Sequence, residues 1–101
     1  MKSIVELVLG LFVIALGLAN IMGNISIIHW YNRRRVTEED APKYGRVVGT
    51  GIVIMGVGLV ISYFVMTFWS EHIADIIVLV MGIGGFLVAL YGQFKYNKGI
   101  F

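Results

Sequence analysis

Tyr31–Arg46 reads YNRRRVTEEDAPKYGR. It is the long polar run in a chain otherwise dominated by Leu, Ile, Val, Phe, Met and Gly, and it holds five of the eight basic residues and the single proline. The segments on either side read as membrane. Of 101 residues 58% are hydrophobic and only 14% charged, against about 45–50% and 25% for soluble domains. A soluble chain this short lacks the interior to hide such an excess; a bilayer solvates it instead. The fold class expected is an all-α integral membrane protein, in one membrane domain.

Upstream of the run, the apolar stretch Ile4–Ile28 exceeds the roughly 20 residues a helix needs to cross a bilayer. It is also longer than the apolar part of a signal peptide, about 7–15 residues, so a retained helix is predicted over about 3–30. Trp30 and Tyr31 suit headgroup level. Downstream, the loop spans 31–43. Thr37 followed by Glu38, Glu39 and Asp40 marks a helix start, where a hydroxyl caps and acids complement the positive end, and Pro42 fits a first turn. The second helix is predicted over about 44–69, a tight turn at 70–72 with Ser70 as cap, a third helix over about 73–94, and a tail at 95–101.

Three crossings place loop and tail on one side, with Arg33, Arg34, Arg35, Lys43, Arg46, Lys95 and Lys98 there and only Lys2 opposite. By the positive-inside rule the expectation is an antiparallel up-down-up bundle in the cell inner membrane, N-terminus out, loop and C-terminus cytoplasmic. The net charge of +2 gives no reason to expect nucleic acid. Membrane lipid is the expected partner, and Arg33, Arg34 and Arg35 are the candidates for contact with its phosphates, although topology already accounts for their presence.

Inside the helices the informative residues are small or polar. Apolar burial drives little association in lipid, so close packing through small residues takes over. Glu6, Gly10, Val13, Gly17, Asn20 and Asn24 follow one another at steps of four and three, and so do Asp75, Val78, Gly82, Gly85, Ala89 and Gly92. Both are heptad seams. In the second helix Gly51, Met55, Gly58 and Ser62 form one stripe, and Gly45, Gly49 and Gly56 another face. Small residues on two faces predict a contact outside the chain, most simply with a second copy or a larger membrane protein.

The candidate site residues are Glu6, Asn20, Asn24 and Asp75. Asn20 and Asn24 lie about 6 and 12 Å beyond the middle of the first span at 1.5 Å per residue; their amides either hold helices together or line a polar path. Packing the two seams together would bring Glu6 and Asp75 near each other, and ionisable groups within spans suggest function, though acids this near a helix end can simply be solvated.

Catalytic chemistry is not expected. The chain has no cysteine, His29 and His72 fall at opposite membrane faces, and Gly82, Gly84 and Gly85 lack the Lys and Ser/Thr of a phosphate loop. No catalytic, cofactor or metal residue is assigned. The function expected is non-enzymatic, through helix packing with itself or a larger partner; the alternative is a homo-oligomeric channel or transporter for a small ion or solute.

At the loop the chain resembles a family of small bacterial and archaeal three-helix membrane proteins of unknown function. The resemblance rests on Tyr31-Asn32 closing the first helix, the acids that follow, and Lys43-Tyr44 opening a glycine-rich helix at Gly49. Gly45 stands where that pattern has an acidic residue. The resemblance implies an integral membrane protein and no particular activity.

Overall fold

The computed structural model describes residues 2–23 and 36–98, with side chains from Ile4 onward. Among them are three helices, α1 (Lys2–Ile21), α2 (Ala41–Phe68) and α3 (Glu71–Tyr96). Each is long and apolar enough to cross a membrane. The molecule measures 45 × 19 × 18 Å, a length that covers a hydrocarbon core of about 30 Å and its interfaces.

Local chemistry sets the helix ends. α1 stops at Ile21, short of the predicted Trp30. The chain turns there, with Gly23 at φ +103°, a left-handed conformation that glycine adopts at no steric cost. The predicted remainder of that helix lies outside the described residues. α2 starts at Ala41, three residues before the predicted 44, and Pro42 lies in its first turn as the sequence predicts. Thr37 acts one step earlier than expected: its Oγ1 accepts from Asp40 N–H at 3.1 Å, closing the turn before the helix. Ser70 caps α3, its hydroxyl oxygen accepting from Ile73 N–H at 3.4 Å, and Glu71 occupies the first helical turn. α3 therefore begins two residues earlier than predicted, and only Trp69 and Ser70 separate it from α2.

α2 is the central helix. α1 and α3 both pack on it, on different faces. Towards α1, a methyl on Gly49 would lie 2.5 Å from the Gly17 carbonyl oxygen, and one on Gly56 2.8 Å from Ile14 N. Towards α3, a methyl on Gly51 would run into the Gly85 carbonyl oxygen and lie 2.7 Å from Ala89 N, while one on Gly58 would lie 2.7 Å from Met81 Cβ. Ser62 continues this face, donating to the Ala74 carbonyl at 3.1 Å. The second glycine face of α2, expected to point outside the chain, is thus filled by α1.

The packed line on α3 departs from the predicted seam at one position. A methyl on Gly82 would meet nothing within 4 Å. The line steps from Gly85 back to Met81, because Gly58 offers a hole and the Met81 side chain fills it. Gly10, Gly17, Gly51, Gly58, Gly85, Ala89 and Gly92 all sit at helix contacts as predicted.

Candidate functional site

Because α1 and α3 flank α2, a groove remains between them. At the Glu6 end it widens into a cleft of about 430 Å³ lined by Val5, Glu6 and Leu9 of α1, Leu59 of α2, and Asp75 and Val78 of α3. On α1 the lining residues recur at i and i+4, and on α3 at i and i+3, which puts each set on one helix face. The two seams do bring Glu6 and Asp75 to a common site, by packing on either side of α2 rather than on each other.

The two carboxylates differ in setting. Asp75 is exposed, whereas Glu6 is half-buried. Glu6 Oε1 is shut off from solvent and has no hydrogen-bond partner among the described residues. A buried carboxylate oxygen without a partner is costly, because it gives up hydration and receives nothing in return. Two carboxylates in an otherwise apolar cleft can hold a cation or a proton. Among the described residues no group of three or more His, Asp or Glu is placed to hold a metal ion.

Asn20 lies 14 residues along α1 from Glu6, roughly 21 Å at 1.5 Å per residue, and takes no part in the cleft. It is 1% exposed. Its side-chain oxygen is buried without a hydrogen-bond partner among the described residues. It faces the protein interior. Asn24, Arg33, Arg34 and Arg35 lie outside the described residues.

A polar group at the Tyr44 end went unnoticed in the sequence. The fully buried Tyr44 donates its hydroxyl to Gln93 Oε1 at 2.9 Å, beside the equally buried Asn97. In the sequence Tyr44 stands at the opening of the second helix, and only the α2–α3 register pairs it with Gln93. Nearby, Lys95 Nζ donates to the Tyr91 hydroxyl at 3.1 Å and lies 5.4 and 5.6 Å from the Tyr91 and Tyr96 ring centres. An amphipathic lysine among rings suits a membrane–water boundary.

Compared with known protein families, with curated proteins and with solved structures, the chain matches none.

Proposed function

We propose that this chain is a non-enzymatic, multi-pass membrane protein that works by packing, as a rigid three-helix unit joining a second copy or a larger membrane protein. The observation that carries this reading is the direct backbone contact on both faces of α2, Gly17 to Gly49 and Gly51 to Gly85. Those contacts use up the small residues inside the chain and leave large apolar side chains outside. α3 offers the freest surface, only 11% of its apolar window being buried, with Leu79, Val80, Ile83, Phe86 and Leu87 between 52% and 62% exposed. In a bilayer that face meets lipid or another helix.

In this reading the helices run antiparallel, with the N-terminus outside and the basic Tyr44 end in the cytoplasm of a cell with this protein in its inner membrane. The basic residues of loop and tail support that orientation. The likeness to small three-helix membrane proteins of unknown function agrees with it and adds no activity.

The test is the mass of the particle in lipid nanodiscs together with flux in liposomes. Packing predicts a defined complex and no flux above protein-free vesicles. A second reading, a homo-oligomeric channel or transporter, draws on the unpartnered Glu6 oxygen beside the cleft. Ion or solute flux that is slowed by Asn20→Leu or Glu6→Gln would sink the packing reading in its favour.

A further inference from the structure

We propose that the cleft between α1 and α3 binds an amphiphilic monocation, a positive charge carried on an apolar body with no phosphate attached. The inference concerns a pocket within one chain and stands whether or not the chain associates with a partner.

Three properties of the cleft select this chemistry. Its volume of about 430 Å³ falls in the range of about 300–1,000 Å³ that takes small organic ligands. Its walls are apolar on every helix, through Val5, Leu9, Leu59 and Val78, and the remaining two lining residues are both carboxylates. Finally, Glu6 Oε1 has no hydrogen-bond partner among the described residues, and a positive group in the cleft beside it supplies an interaction that these residues do not. In surroundings of low dielectric constant that attraction is far stronger than in water.

The same properties argue against the other cations. A hard divalent ion seeks six or more oxygen ligands, and neither the two carboxylates nor the apolar walls provide them. The ammonium of a zwitterionic lipid brings its own phosphate within the same headgroup, and that phosphate would sit against Glu6 and Asp75. A free cation with an apolar body meets the negative charge of the cleft and covers its walls together.

Equilibrium dialysis of tetraphenylphosphonium against the purified chain in dodecyl maltoside micelles, which carry no charge, tests the proposal. Saturable binding of one probe per chain is expected, with triphenylphosphine oxide, a neutral molecule of similar build, bound at least tenfold more weakly. The double variant Glu6→Gln/Asp75→Asn should lose at least tenfold in affinity while keeping its helical circular dichroism. Leu59→Trp, which fills the cleft and leaves its charge alone, should abolish binding. Equal affinity in the double variant, or equal binding of the neutral molecule, would overturn the proposal. Displacement of the probe by equimolar phosphatidylethanolamine would overturn it in favour of a lipid headgroup. Should the double variant fail to fold, Asp75→Asn alone decides, since Asp75 is exposed: at least a threefold loss is expected, and no loss rejects the site.

Discussion

Gly51 and Gly85 lie backbone against backbone, and each leaves no room for a methyl because the obstacle is the other's carbonyl oxygen. A carbonyl cannot move aside as a flexible side chain can. Gly51→Ala should therefore force the helices apart, at a cost of about 1–3 kcal/mol typical of overpacking. Gly82 and Gly84 face open space, and alanine there should be neutral or stabilising by up to about 1 kcal/mol through helix propensity. Unfolding by SDS in mixed micelles compares the three variants directly; a Gly82→Ala loss as large as that of Gly51→Ala would contradict the packing described. Asn20 makes a separate residue-scale case. Its buried amide oxygen has no partner among the described residues, so Asn20→Leu removes an unsatisfied oxygen and should leave stability within about 1 kcal/mol of the wild type or above it. A loss of several kcal/mol in the same assay would show that the amide holds the fold together. Glycine spacing revealed most of these contacts but erred at Gly82. Both three and four steps back from Gly85 satisfy a heptad, and size alone favours glycine over Met81. The partner residue Gly58 reverses that preference, since a gap needs a side chain to fill it.

At the scale of the element, α2 behaves as a two-sided core. One face closes on α1 and the other on α3, so side chains that would otherwise form an exposed small-residue surface are spent inside the chain. Exposed hydroxyls on α2 are satisfied locally: Thr50 donates to the Arg46 carbonyl at 2.6 Å and Thr67 to the Tyr63 carbonyl at 2.8 Å. Helices facing lipid require such internal satisfaction. The α2–α3 pairing is open to a covalent test in a chain without native cysteines. A Cβ built at Gly92 lies 3.1 Å from Val47 Cβ, near the roughly 3.5–4.5 Å of a disulfide. The pair Val47→Cys and Gly92→Cys should cross-link on mild oxidation and still migrate as a monomer under denaturing electrophoresis. A covalent dimer in its place would mean that α3 packs on another chain's α2. Along the same interface Ser62→Ala deletes the bond to Ala74, a loss of about 0.6 kcal/mol for an average interhelical hydrogen bond in a membrane, readable in the SDS titration. The cap at Ser70 was legible because a hydroxyl ahead of an acid signals a helix start wherever it occurs. The length of α1 was not legible, since an apolar run does not reveal where a glycine will turn the backbone.

For the whole molecule, the distribution of charge and the position of α2 matter most. Glu6, Glu71 and Asp75 gather at one end, and Lys43, Arg46, Lys95 and Lys98 at the other. If the basic end lies in the cytoplasm, as proposed, a cysteine at Lys98 should react with a membrane-impermeant maleimide only after the cells are opened. Labelling of intact cells would reverse the orientation. α2 between its neighbours also explains why Glu6 and Asp75 line one cleft without the seams of α1 and α3 meeting. Two helices seated on adjacent faces of a third leave a groove between them, and residues at matching heights look into it.

The sequence by itself determined the class and the segmentation. A chain that is 58% hydrophobic, broken by one polar run, leaves membrane helices as the way to satisfy its backbone, and caps and charges depend on neighbours a few residues away. Tertiary structure decided which helix is central, which glycines touch, that Asn20 is enclosed while Glu6 opens on a cleft, and that Tyr44 finds Gln93. These depend on the rotation and register of one helix against another. A three-or-four spacing leaves both ambiguous by a residue, and only the fit of side chains into facing gaps removes the ambiguity.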